Sequence, residues 1–246
     1  MPKVVALHGF TGSGKDFDPL RECLDARFEV IAPDLPGHGQ HVHDHKPSSY
    51  SLDAHLKTIS EAAGKSSGPI TLLGYSMGGR LALHWALAHP ERIQRLILIG
   101  ASPGLASTPE QAERVRGDQA LAKYIRAEGL AKFLKYWNTK TIFKSMLSMP
   151  ADRLDPILVR RQKNVPEALG LSLENVGTGA LPSLWDRLIE IKCPTDLVVG
   201  EHDTKFIEIA HRMAERMPKS RISIMEDVGH PVHLERPQDL ATLIEG

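Results

Sequence analysis

The sequence predicts an α/β fold: a doubly wound, mostly parallel sheet of about six strands, interrupted by a helical cap insertion. Three observations predict it. Short apolar runs alternate with amphipathic stretches, the signature of strand–helix units. The 246 residues, 41% of them apolar, suit one large domain with a substantial core. One stretch, from Ser107 to about Gly179, carries helical patterns but no convincing strand. The division follows as a core of residues 1–106 and 180–246 around an insertion of residues 107–179.

The first strand is expected at Val4–Leu7 and ends in "HGFTGSGKDF". Two readings compete there. Gly9 to Lys15 fits most of a phosphate-binding G-x-x-x-x-G-K loop. That loop needs Ser or Thr next, to ligate magnesium, and the position is Asp16. The other reading is a sharp turn after a strand that presents a backbone N–H. Asp18-Pro19 reads as a helix N-cap and first turn, with the helix over Pro19–Ala26. A strand over Glu29–Ala32 precedes "DLPGHGQHVHDH". His41, His43 and His45 would share one face of a strand and suggest zinc. A polar surface loop is the plainer reading, because no fixed frame flanks them.

A helix over Leu52–Ala63 leads to a strand at Ile70–Leu73 and then to "GYSMGG". Gly74-Tyr75-Ser76-Met77-Gly78 is G-x-S-x-G between a strand and the helix Met77–Ala88, the setting of a nucleophile elbow. The turn is so tight that side chains at the glycine positions would clash. It pushes the Ser76 hydroxyl out at a helix N-terminus, where developing negative charge is favoured. Arg80 lies one helical turn on, on the same face, either aimed at a substrate or tied up in a surface ion pair.

After the strand Leu96–Ile99 comes the insertion, with helical spacing over Ala120–Phe133 and Phe143–Met149. Gly177-Thr178-Gly179 reads as a hinge back to the core. A helix over Leu184–Glu190 and a strand over Asp196–Val199 follow, then "GEHDTKF", a helix over Phe206–Met217, a strand over Arg221–Met225 and "VGHPVHLERP". A nucleophilic serine needs an acid and a histidine, in that chain order. Asp203 and His230 each fall just past a strand, as Ser76 does. Asp196 stands at the wrong end of its strand. Glu201, His202, Asp227 and His233 are nearby but less well placed. The last helix is Pro237–Glu245.

Charge excludes little except the extremes. Thirty basic residues balance thirty acidic ones, so nucleic acid and anionic membranes are not expected partners. No apolar run approaches the ~18 residues of a membrane span. Met1-Pro2-Lys3 leads straight into a strand without a leader pattern, and the two cysteines, Cys23 and Cys193, lack metal spacing. The expectation is a cytoplasmic protein with reduced thiols, monomeric or weakly self-associating.

"HGF", "DLPGHG", "GYSMGG", "GEHD" and "VGHPVHLERP", in this order, resemble the α/β-hydrolase superfamily over nearly the whole chain. The resemblance implies that Gly9-Phe10 is an oxyanion loop, with the N–H of Phe10 paired to that of Met77. Members usually begin with two further strands, an antiparallel hairpin that is absent here. Within the superfamily, "GYSMGGR", "PGL" followed by "QAERVR", "KYW", "RRQKN" and "GEHDTKF" are similar to the synthases that make 2-succinyl-6-hydroxy-2,4-cyclohexadiene-1-carboxylate in menaquinone biosynthesis. That resemblance implies a lyase without metal or organic cofactor. It implies a small tricarboxylate substrate bound by Tyr75, Arg80, Arg114, Trp137 and Arg161, with Arg160 an alternative to its neighbour. Trp137 could instead be insertion core, and Arg114 and Arg161 solvated charges. A C–C bond or carboxylester hydrolase, using Ser76 as nucleophile, and a non-catalytic receptor are the other readings that the superfamily allows.

Overall fold

The computed structural model describes residues 1–42, 46–64 and 68–246. Six strands form one sheet: β1 (Lys3–Leu7), β2 (Glu29–Ile31), β3 (Ile70–Tyr75), β4 (Ile93–Ile99), β5 (Thr195–Gly200) and β6 (Ser220–Met225). Their order is β2-β1-β3-β4-β5-β6, and every pairing is parallel. The inner strands are buried on both faces, which is why they read as unbroken apolar runs rather than as alternation. Successive residues nevertheless go to opposite layers. Val5, Leu7, Leu72, Leu96 and Leu197 pack with one set of helices, and Val4, Ala6, Leu73, Ile97 and Val198 with the other.

On the first face lie α2 (Leu52–Ala63), α3 (Met77–Ala88) and, past the helical segment described below, the C-terminal half's Thr204–Ala214 helix. On the second face α1 (Asp18–Cys23) packs against Pro237–Glu245. The chain steps outward from β1 to β2 and then returns past β1 to β3. Helices after β1 and β3 therefore leave on opposite faces, and the carboxyl ends of these two strands border a crevice. Open α/β sheets place their sites at such a point.

Between β4 and β5 the chain runs through α4 (Thr108–Asn138), α5 (Ala151–Arg161) and α6 (Pro166–Val176) with no strand. Ser107 starts α4 by accepting the Glu110 N–H on its Oγ at 3.3 Å. The helix breaks at Gly129 (φ 80°, ψ 168°), where an added Cβ would meet nothing within 4 Å. The glycine is there for its backbone, not for space. Across the break α4 packs on α6 through Ala122, Ile125, Phe133, Leu169 and Leu173. The later helices are α7 (Thr204–Ala214), α8 (Val232–Glu235) and α9 (Pro237–Glu245).

Several elements depart from expectation. Asp18 is the first residue of α1 rather than its cap, because a 3₁₀ turn over Gly14–Phe17 already starts the helical path. The stretch Trp185–Glu190 is 3₁₀, not α, and Phe143–Met149 resolves into parts of two 3₁₀ turns. Gly177 and Gly179 serve close approach: Cβ atoms there would fall 2.3 Å from the Leu173 carbonyl and 2.7 Å from that of Gln111. Asp196 is buried at the amino end of β5, ion-paired with Arg221 and 2.6 Å from the Arg95 Nε. Arg95 also donates to the Leu243 and Ile244 carbonyls of α9, so this acid ties the sheet to the last helix. His43 and His45 lie outside the described residues, and His41 is exposed. Cys23 and Cys193 are free thiols. Among the described residues no helix is long and apolar enough to cross a membrane.

Candidate active site

Ser76 lies between β3 and α3 with φ 52° and ψ −108°, a conformation that costs a non-glycine residue about 1–3 kcal/mol. Its backbone holds it there: its N–H donates to the Ile99 carbonyl at 2.9 Å, and its carbonyl accepts from Arg80 N–H at 3.1 Å. The flanking glycines cannot be replaced. A Cβ at Gly74 would lie 2.5 Å from the Gly78 carbonyl oxygen, and one at Gly78 would lie 2.2 Å from that of Leu7.

Asp203 ends the turn after β5 and His230 follows β6; both are buried. His230 Nδ1–H donates to Asp203 Oδ2 at 2.6 Å, which leaves Nε2 with its lone pair. Gly100, in the left-handed region at φ 51°, makes room for the imidazole: a Cβ there would fall 2.6 Å from its Cε1 and Nδ1. The rings of Phe206 and Tyr75 flank it at 4.5 and 5.1 Å. Glu201, His202 and Asp227 are exposed to solvent. His233 is buried between Tyr75 (4.4 Å) and Phe17 (4.9 Å), neither ring nitrogen has a hydrogen-bond partner among the described residues, and burial lowers its pKa to about 3.

The loop after β1 has an organiser that sequence reasoning left without a role. His8, fully buried, donates from Nδ1 to the Gly9 carbonyl at 2.8 Å and accepts the Leu35 N–H on Nε2 at 3.0 Å. Burial lowers its pKa, so it stays neutral and both nitrogens are spent on loops. The ring of His38 contacts His8 and Phe10 at 5.1 and 5.7 Å. Asp34 clamps the next turn through the Gly14 and Gln40 N–H groups. Lys15 is exposed and Asp16 is buried against Arg160, so no cradle for phosphate forms there. Met77 opens α3, and its N–H has no carbonyl four residues back within the helix.

Phe10, Ser76, Met77 and His230 border one cavity of about 520 Å³. Leu121, Trp137, Leu173 and Val176 from the helical segment give it apolar walls, and Arg80, Arg114, Asp118, Lys140 and Lys205 give it charge. Arg80 donates to the Val176 carbonyl at 3.5 Å, while its buried Nε has no partner among the described residues. Burial, with Arg114 acting in the same direction, lowers its pKa to about 10, so it remains a cation at neutral pH. Arg114 donates from Nε to Asp118 Oδ1 at 2.8 Å; burial raises the pKa of that acid. The spacing of Arg114 and Asp118, one helical turn apart, is the signal that could have found this acid in the sequence.

Of the residues expected to bind substrate, Arg80, Arg114 and Trp137 are therefore on the cavity wall. Tyr75 and Arg161 are not. Arg161 is buried, bonded to Asn138 at 3.1 Å and stacked 5.0 Å over Phe143, which contacts Trp137. Arg160 is ion-paired with Asp16 away from this cavity.

Known proteins agree with this architecture. A family model described as the alpha/beta hydrolase family matches residues 4–243. The chain belongs to the alpha/beta hydrolase family. Among its relatives, a Bacillus subtilis (strain 168) protein provisionally named 2-succinyl-6-hydroxy-2,4-cyclohexadiene-1-carboxylate synthase is 38% identical over 96% of this chain and 86% of its own. The synthase of that name from Photorhabdus laumondii subsp. laumondii is 32% identical over 94% and 80%. The structure of MenH from S. aureus superposes with a TM-score of 0.91 at 34% identity, covering all of this chain and 92% of that one. In this alpha/beta hydrolase Ser76, Asp203 and His230 each stand just past the end of a strand.

Proposed function

We propose that this protein is a carbon–oxygen lyase. It eliminates pyruvate from 2-succinyl-5-enolpyruvyl-6-hydroxy-3-cyclohexene-1-carboxylate to give 2-succinyl-6-hydroxy-2,4-cyclohexadiene-1-carboxylate. The observation that carries this reading is the cavity itself: beside a Ser-His-Asp constellation it holds two arginines and two lysines against one carboxylate. A hydrolase of neutral esters gains nothing from such a lining. A tricarboxylate does. The named relatives point the same way.

The double bonds define the chemistry. The substrate has one at C3–C4 and the product has two, at C2–C3 and C4–C5. A proton therefore leaves C2, beside the succinyl carbonyl, and the enolpyruvyl oxygen leaves C5. Ser76 takes the proton, relaying it to His230 Nε2, and Asp203 offsets the imidazolium charge. The N–H groups of Phe10 and Met77 receive the charge that develops on the succinyl oxygen. Water is not a reactant, and the apolar walls exclude it. Arg80 and Arg114 bind carboxylates. Tyr75 packs on the imidazole and fixes its plane. Arg161 has no carboxylate at ion-pair distance among the described residues; it stacks on Phe143, off the cavity wall. The segment 107–179 acts as the cap that closes the site.

The test is incubation with the enolpyruvyl substrate, made fresh by the upstream synthase, with pyruvate release followed in a coupled assay. Release that depends on Ser76 supports the lyase. Ester turnover with an acylation burst and no pyruvate would place the protein among the hydrolases.

A further inference from the structure

The cavity carries one cation more than the arginines and the held lysine account for. Arg80 and Arg114 face it from α3 and α4. Lys140 is occupied, with its ammonium 2.5 Å from the Tyr136 hydroxyl and 4.0 Å over that ring. Lys205 differs. It is the second residue of α7, directly after the Asp203 turn, and its side chain is exposed at the cavity. Among the described residues no carboxylate pairs with it. Its ammonium lies 5.8 Å from the ring of Phe206, and that ring packs 4.5 Å from His230. Lys205 and His230 thus border the same cavity with the Phe206 ring in contact with the imidazole, and an anion held by Lys205 sits near the positive end of α7.

The charges match as well. Four cations and one carboxylate line the cavity, which leaves three positive charges for a substrate with three carboxylates, while Arg161 stands off the wall.

Resting on the lyase reading, we infer that Lys205 is the specificity residue for the leaving group: its ammonium receives the carboxylate of the enolpyruvyl arm. When the C2 proton is taken, its electron pair forms C2–C3, the ring pair moves to C4–C5, and the C5–O bond breaks. The departing electrons rest on the enolate oxygen of the arm, close to the same ammonium. Return of the proton to the methylene carbon of the enolate gives pyruvate. Nothing is oxidised or reduced.

Steady-state formation of the conjugated diene by wild type, K205Q and K205R, followed by its ultraviolet absorbance, tests this, with pyruvate and succinate as competing inhibitors. K205Q is expected to raise KM about tenfold or more and to weaken inhibition by pyruvate by a similar factor, the scale of one lost charge-assisted bond. Inhibition by succinate stays within about twofold. K205R, which keeps the charge, stays within about threefold of wild type in KM. Lys205 is exposed, so loss of fold is not at issue, and a thermal melt of each variant checks it. If K205Q keeps the wild-type KM and pyruvate inhibition, the assignment of Lys205 is overturned. Wild type that releases no pyruvate at all overturns the lyase reading instead.

Discussion

The strand ends of the sheet and the helical segment above them hold their functional groups in different ways. Ser76, Asp203 and His230 sit where backbone packing leaves a single solution: Gly74, Gly78 and Gly100 each lie where any side chain would collide with backbone or with the imidazole. Arg114 and Lys140 project from helices or turns whose backbone is indifferent to them, and each is held by one side-chain contact. Arg114 keeps 42% of its side chain exposed. On the proposed reading the reacting groups are thus fixed by chain geometry, and the recognising groups by charge. Chemistry that fails with a small misplacement goes with the first kind of support; recognition of a flexible polyanion goes with the second.

The sharpest test of the rigid half is Ser76→Ala, which should lower kcat by on the order of 10³-fold or more with the fold intact by circular dichroism. Near-normal pyruvate release would remove Ser76 from the mechanism. Gly100→Ala probes the frame without replacing a reacting residue. Its Cβ would displace the His230 ring, and roughly 100-fold of kcat should go, with KM nearly unchanged. An active Gly100→Ala enzyme would show that the imidazole tolerates displacement.

The charged half should respond differently. Arg80→Ala should reduce kcat/KM by roughly 30-fold or more for the tricarboxylate, since a substrate charge is left unpaired, and Arg114→Ala by less because it is half exposed. Neutral-ester hydrolysis, where measurable, should be unaffected by either. Equal losses on both substrates would mean that these arginines support the frame.

The smallest effect concerns stability. Burial lowers the pKa of His233 to about 3 and that of His55 to about 4. The folded chain keeps both neutral, whereas the unfolded chain protonates them below about 6.5. Stability should therefore fall as pH drops from about 6.5 towards 4, by up to ~1.4 kcal/mol per pH unit for each ring. His233→Phe should flatten that acid limb in urea titrations, because its ring nitrogens have no partners to lose. An unchanged limb would locate the acid sensitivity elsewhere.

What was legible in the sequence follows the same division. The sheet, its parallel pairing and the strand-end placement of Ser76, Asp203 and His230 could be read because apolar runs and obligatory glycines are local signals. Phe10 came from the likeness of "HGF", but the reason for its histidine did not: the bond from Leu35 to His8 joins residues far apart in the chain. The partition of the arginines was hidden for a related reason. Arg160 and Arg161 are neighbours in α5, yet one reaches Asp16 and the other is buried on Phe143, a choice made by helix orientation. Lys205 stands in "GEHDTKF" with no role legible there, because exposure and the lack of an acid partner among the described residues are properties of the fold.

The helical segment also separates two strands that must meet. Leu96 of β4 pairs with Thr195 of β5. Every contact between the halves of the sheet waits for the closure of a loop of about 100 residues, and parallel pairing offers no hairpin to shorten the search. Trimming the segment by half would shorten that loop by about a third and relieve its closure by only about 0.4 kcal/mol. The delay in assembling this protein is thus set by the decision to make β4 and β5 neighbours, and hardly at all by the size of what was placed between them.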